Sequence, residues 1–222
     1  GSGISTQSTS PVTRALVAVP ASGMVCHSTR STWTTRGPAA KLGVPPERGI
    51  EAIVANWTST LDRELAVPVG VTTVELDTRK GSVRSEETNF GDLVGDALRN
   101  ALGAEVALTN GGGIRGDRLY PPGTELTRRD ILSELPFGNV AVLADVTGAD
   151  LLAALENGVS QVEDSAGRFP QISGMSFVFD PAQPPGSRIV EAAVAGTRLD
   201  PAATYRLATS DYLLGGGDGY ES

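Results

Sequence analysis

Asn110-Gly111-Gly112-Gly113-Ile114-Arg115 is the segment of this chain best equipped for chemistry. Consecutive glycines strip a turn of its side chains and permit positive φ angles, so a ligand can approach the main chain. An amide stands at one end and a fixed cationic fork at the other, a pairing that suits a polar, anionic small molecule. The same hexapeptide also reads as a flexible strand-to-loop connection ending in a surface arginine. A second glycine cluster, Gly215-Gly216-Gly217-Asp218-Gly219, places one carboxylate among residues without side chains. Taken singly, Asp218 reads as a turn residue. Phe137, after Pro136, reads as core, and Tyr212 as an edge-strand aromatic. Arg84 reads as half of a solvated ion pair with Glu86 or Glu87.

Composition removes several classes of function. The chain has 222 residues, 40% hydrophobic, which allows one globular domain with an extension or two small domains. Net charge is -8, from 18 basic and 26 acidic residues, so the average surface repels a nucleic-acid polymer. A few focused arginines can still bind a small anion. No stretch is apolar and long enough to span a bilayer. His27 is the only histidine and Cys26 the only cysteine, which rules out an intrachain disulfide and a histidine-rich two-metal centre built from this chain by itself. Cys26 and His27 are adjacent and lack an apparent orienting group, a poor arrangement for nucleophilic catalysis.

These side chains need elements to position them. Residues 1–46 are rich in Ser, Thr, Pro and Gly, follow no regular period, and read as an extension or linker; Trp33 there is an incidental or docking aromatic. Residues 47–222 carry the patterned domain. Ile50, Ile53, Val54, Trp57, Leu61 and Leu65 predict a helix ending before Pro68. Val67 to Leu76 alternates as a strand with a bulge at Thr72-Thr73, and 77–85 is a polar connection. A second helix begins near Asn89, its N-cap candidate, with a stripe of Phe90, Leu93, Val94, Ala97, Leu98 and Ala101, and closes at Gly103. A strand at 104–108 follows. Thr127 caps a helix over 128–135, Pro136-Phe137-Gly138 breaks it, and 140–146 is a strand. Thr147 caps a helix over 149–162. Strands follow at 176–180, 188–194, 197–199 and 204–210. Asp92 and Asp96 form a solvent-facing stripe, and Arg128 and Arg129 sit on a solvated helix face. The irregular alternation predicts an α+β fold with a mixed β-sheet and packed helices, rather than a doubly wound parallel one.

Four segments together resemble the C-terminal, substrate-binding domain of the 5′-nucleotidase / UDP-sugar hydrolase family. They are Glu87-Thr88-Asn89-Phe90-Gly91-Asp92-Leu93, the 110–115 hexapeptide, Leu135-Pro136-Phe137-Gly138-Asn139 and Gly216-Gly217-Asp218-Gly219-Tyr220, in the family's order. Four ordered motifs are far more specific than one. The resemblance implies a nucleotide- or nucleoside-recognition domain of a metallophosphohydrolase that cleaves phosphate esters of nucleotides. It implies that Phe137 and Tyr212 sandwich the base, with Tyr where many relatives have Phe, which adds a hydroxyl in need of a partner. Asp218 would accept the ribose hydroxyls, and Asn110 would contact base or ribose beside Gly112 and Gly113. Arg84 and Arg115 would reach the ribose and the phosphate. The helix near 47–65 resembles the segment bridging the family's two domains. No catalytic residue, metal ligand or cofactor is assigned to this chain. Two divalent metal ions of the zinc or manganese type are expected in an N-terminal metallophosphoesterase domain, whose motifs do not occur here. The expected partners are that domain and a nucleoside monophosphate or related nucleotide, and the resemblance implies export to the periplasm, cell surface or medium. The alternative is a non-catalytic binding or surface module that retains the fold.

Overall fold

The computed structural model describes residues 48–221. Cys26, His27 and Trp33 lie outside the described residues, as does the 1–46 extension. The first element is the expected helix, α1 (Arg48–Leu65). Its apolar face stays exposed, with Ile53 at 57% and Trp57 at 63%. The predicted strand over 67–76 divides into β1 (Pro68–Val71) and β2 (Leu76–Asp77), which join different partners. β1 pairs antiparallel with β5 (Glu125–Thr127), and β2 with β4 (Leu119–Tyr120). The irregularity falls between Pro68 and Gly70, not at Thr72-Thr73. Thr72 instead marks the turn between the two ribbons, where its hydroxyl donates to the Pro121 carbonyl at 2.9 Å. The polar connection after Asp77 contains a helical turn, α2 (Lys80–Val83), because Val83 is fully buried there.

Helix α3 (Asn89–Leu102) is capped by Thr88 and not by Asn89: the Thr88 hydroxyl accepts from Gly91 N at 3.1 Å. Asn89 is the first helical residue, and its amide donates to the Glu75 carbonyl. Gly103, at φ 61°, closes the helix as expected. The face of α3 toward the sheet is Phe90, Gly91 and Gly95, while Leu93 is exposed. A Cβ on Gly91 would lie 1.9 Å from the Gln171 amide oxygen, so only glycine lets this helix come so near the strand beneath it. Gln171 is fully buried; it donates to the Val83 and Glu86 carbonyls and accepts from Thr88 N, tying α2, α3 and the sheet together.

The sheet is mixed, as predicted. Its order is β6 (Ala141–Thr147), β11 (Thr204–Ser210), β3 (Val106–Asn110), β7 (Pro170–Ser173). β11 runs antiparallel to β6 and parallel to β3, and β3 runs antiparallel to β7. β3 and β11 are the two inner strands, and all five residues of β3 are buried. β7 has no counterpart in the sequence reading; Pro170 and Gln171 obscure its period. Helix α4 (Arg128–Glu134) is held by the Thr127–Asp130 capping box, and α5 (Gly148–Val159) by the Thr147–Asp150 box. Leu151 and Leu155 of α5 pack with Val106, Leu108 and Leu207 of the sheet. That core extends to a separate three-stranded sheet, β10 (Thr197–Arg198), β9 (Ile189–Val194), β8 (Met175–Phe179). The last α-helix among the described residues is α6 (Asp211–Leu214), followed by a 3-10 turn at Gly217–Gly219.

Asp92 and Asp96 are not equivalent solvent groups. Asp96 accepts from the Ser173 hydroxyl at 2.5 Å. Burial, then the neighbouring Glu87 carboxylate, pushes the Asp92 carboxyl up to about 6. A native-state value above the unfolded one, about 3.9, means this group favours folding fully below pH ~4 and loses that contribution as pH rises through 6. Asp92→Asn is therefore expected to gain about 1 kcal/mol over the parent at pH 7 after allowance for solvent screening, and nothing near pH 4. Urea midpoints at the two pH values measure this; an equal change at both would contradict the assignment.

Candidate functional site

The topology brings loops from distant parts of the sequence to one end of the central sheet. β3 and β11 run parallel and both exit there, while β6 and β7 enter there. The Val140 and Asp211 main chains close the β6–β11 pair: Asp211 N donates to the Val140 carbonyl at 2.9 Å, and Val140 N to the Asp211 carboxylate at 3.0 Å. Phe137 lies three residues before this clamp and Tyr212 one residue after it, so two residues 75 positions apart emerge at the same edge of adjacent strands. Asn110 is the last residue of β3, directly paired with Pro170 of β7.

Contacts link these side chains in series. The Asn110 amide donates to Asp218 Oδ2 at 2.7 Å, and the Tyr212 hydroxyl to Asp218 Oδ1 at 2.9 Å. That bond holds the Tyr212 phenol above its ordinary pKa. Asp218 has φ 53°, a left-handed backbone that aims its carboxylate back toward Asn110. Tyr212 lies close against Gly217, where a Cβ would sit 2.5 Å from the ring. On the other side, the Arg115 guanidinium stands 5.4 Å from the centroid of the Phe137 ring and donates to the Gly112 carbonyl at 3.4 Å. Gly111–Gly113 forms a single 3-10 turn. Gly112 N donates to the Gly167 carbonyl at 2.7 Å and Gly111 N to that of Phe169 at 2.8 Å, which fixes the turn on the 165–169 loop. Arg84 joins through the same loop, donating to the Ser165 carbonyl at 3.3 Å. Its Nε is buried without a hydrogen-bond partner.

The structure resolves several readings left open above. Phe137 is not core; it is 58% exposed. Tyr212 is not on a strand but in the first turn of α6, 44% exposed. Arg84 is half-buried and bonded to a carbonyl. Asp218 is a turn residue, but one with both carboxylate oxygens engaged. Arg128 and Arg129 stay away from the site as expected, and Arg129 pairs with Asp62 of α1.

Two supports were missed. Glu134, at the end of α4, is fully buried. Its carboxylate accepts from Gly116 N at 2.7 Å, Tyr120 OH at 2.7 Å and Arg118 Nε at 3.2 Å, and its carbonyl accepts from Arg115 N at 2.8 Å. This one residue therefore sets the path of the chain that carries Arg115. Asn157 of α5 donates to the Asp218 carbonyl at 3.2 Å and accepts from Arg168 at 3.0 Å. Neither signal was available in sequence: a glutamate and an asparagine on polar helix positions look solvated. A cavity of about 430 Å³ between the sheet and α5 is lined mainly by Leu, Val and Ala side chains, which offer little directed hydrogen bonding. Among the described residues, no cluster of three or more His, Cys, Asp or Glu could hold a metal ion, and no helix is long and apolar enough to cross a membrane.

Two exposed rings, a carboxylate bonded at both oxygens, a glycine turn and two arginines thus meet at one end of the sheet of an α+β domain. Comparison with known proteins places it more closely. The 5′-nucleotidase, C-terminal domain family profile matches residues 68–222, and the chain belongs to this family. It is 40% identical to the trifunctional nucleotide phosphoesterase protein YfkN of Bacillus subtilis, over 68% of this chain and 11% of that protein. It is 35% identical to protein UshA of Escherichia coli, over 71% of this chain and 27% of that protein. Human 5′-nucleotidase is 30% identical over 80% of this chain and 34% of its own length. The crystal structure of a 5′-nucleotidase precursor from Thermus thermophilus superposes with a TM-score of 0.68 at 37% identity, covering 81% of this chain and 36% of that one. The chain thus spans about a third or less of these relatives' length.

Proposed function

We propose that this domain binds a nucleoside monophosphate or related nucleotide and presents it to a metallophosphoesterase domain that hydrolyses the phosphate ester. The observation that carries this reading is the linked series Phe137–Arg115–glycine turn–Asn110–Asp218–Tyr212 at one sheet end. Phe137 and Tyr212 take the base between them, since every base has a π-face. Asp218 accepts from the ribose hydroxyls. Asn110, Gly112 and Gly113 border the sugar and base, and a turn without Cβ atoms admits the ligand to the main chain. Arg115 and Arg84 supply positive charge on the phosphate side. The unpartnered Arg84 Nε fits a group awaiting an acceptor.

The described residues do not fit a dinuclear metal centre, so no hydrolytic step is derived from them. Two zinc- or manganese-type ions, the activated water and the catalytic groups are assigned to the N-terminal domain of the family's whole proteins, with α1 leading toward that junction. Residues 1–46 are assigned as an extension and 47–222 as the recognition domain. Export to the periplasm, cell surface or medium is proposed on the same family grounds.

Calorimetric titration tests the reading. The full chain is expected to bind adenosine and AMP with a dissociation constant of about 1 mM or tighter, the range that one or two stacked rings and a few hydrogen bonds provide. With Mn²⁺ or Zn²⁺ added it should release no phosphate from AMP. Absence of binding at millimolar ligand overturns the recognition role, and dose-dependent turnover overturns the division of labour.

A further inference from the structure

The hydroxyl that distinguishes Tyr212 from phenylalanine is spent on Asp218, and this bears on which sugar the pocket accepts. A carboxylate offers about four acceptor positions, two on each oxygen. Here one position on Oδ1 is filled by the Tyr212 hydroxyl and one on Oδ2 by the Asn110 amide. One position therefore remains on each oxygen, side by side. Two adjacent hydroxyls on a ring present two donors with matching separation; a lone hydroxyl fills only half.

The surroundings fix the plane of that carboxylate. The terminal torsion of an aspartate is soft unless contacts hold it. Asp218 is anchored on three sides: its main-chain carbonyl by Asn157, Oδ2 by Asn110, and Oδ1 by Tyr212. Gly167 closes a further direction, since a Cβ there would meet Oδ2 at 3.1 Å. Among these, only the Tyr212 bond holds Oδ1. Without it the carboxylate turns about its torsion, and a ligand must supply the ordering that the protein otherwise supplies beforehand.

We infer that Tyr212 is a specificity-determining residue, its hydroxyl locking Asp218 as a receptor for a vicinal diol, so that this chain selects ribonucleosides over their deoxy counterparts through Tyr212 as well as through Asp218. This rests on the nucleoside reading of the pocket. Its ring stacks; its hydroxyl acts only through the carboxylate, which makes it a positioning group for sugar recognition.

The test titrates the full chain, parent and Tyr212→Phe, with adenosine, 2′-deoxyadenosine, 2′,3′-dideoxyadenosine and adenine. The parent is expected to prefer adenosine to the dideoxy compound by about tenfold or more, the discrimination a site built to hydrogen-bond a hydroxyl achieves at its lower limit. Tyr212→Phe is expected to weaken adenosine about fivefold while leaving adenine and the dideoxy compound unchanged, so the preference shrinks. Phenylalanine keeps the ring and its contact with Gly217, so folding is not at issue. An unchanged preference in Tyr212→Phe overturns the inference and leaves the ring clamp standing. An equal loss for all four ligands also overturns it, since that is the mark of a packing role. A parent that binds none of them overturns the nucleoside reading and the inference together.

Discussion

Replacing Phe137 and Tyr212 together by alanine is expected to lower nucleoside affinity about 100-fold while leaving the fold intact. Each stacked base–aromatic contact contributes roughly 1–3 kcal/mol by alanine substitution, and 100-fold corresponds to about 2.7 kcal/mol. The fold is expected to survive because Phe137 is 58% exposed and Tyr212 44%. Phe137 is a surface position worth about 0.5 kcal/mol or less, and Tyr212 adds about 1 kcal/mol through its bond to Asp218. Calorimetric titration with adenosine, run beside a thermal melt, separates the two quantities. Phe137→Ala alone should also release Arg115 from its ring, an exposed cation–π contact of about 0.5–1 kcal/mol, so its effect on AMP should differ from that on adenosine. A double variant with parental affinity would place the base elsewhere.

Glu134→Ala is the substitution with the largest expected effect on stability, a loss of about 3 kcal/mol. The side chain is fully buried and its carboxylate receives three donors. Removing it leaves Gly116 N and the Tyr120 hydroxyl facing a void, each with a desolvation cost of about 1–3 kcal/mol. Burial, then the bond to Glu134, already holds the Tyr120 phenol above its ordinary pKa. Arg118→Lys is the contrast: it keeps a positive charge beside Glu134 on a side chain that is 44% exposed, and should cost about 1 kcal/mol or less. Urea unfolding of both variants checks the pair. A Glu134→Ala cost equal to that of Arg118→Lys would show that the acid is not the hub of the 115–120 segment. Because Gly116 N, next to Arg115, loses its bond to the Glu134 carboxylate, the folded fraction of the variant should also bind AMP more weakly.

Helices were legible where a capping residue and an apolar period agreed. Thr127 and Thr147 each open a helix through a capping box, and β11 spans 204–210 as its alternation predicts. Reading failed where tertiary demands override a local pattern. Asn89 has good capping chemistry, yet Thr88 takes the role because the helix begins one residue earlier against Gln171. Val67 to Leu76 alternates with one change of phase at Thr72-Thr73 and reads as a single bulged strand, but two partners in different ribbons divide it. β7 was invisible because its central residue, Gln171, is a buried polar cross-link. The site shows the same split. The residues proposed to face the ligand belong to short, glycine-marked motifs that sequence displays. Its supports, Glu134 and Asn157, act through the main chain of other segments, and no local pattern announces that.

Asp218 occupies a left-handed backbone position that glycine would fill with less strain. Asp218→Gly would relieve that strain but leave the buried Asn110 amide and the Tyr212 hydroxyl without their acceptor, so selection for heat resistance alone is expected to keep the carboxylate at this corner rather than trade it away.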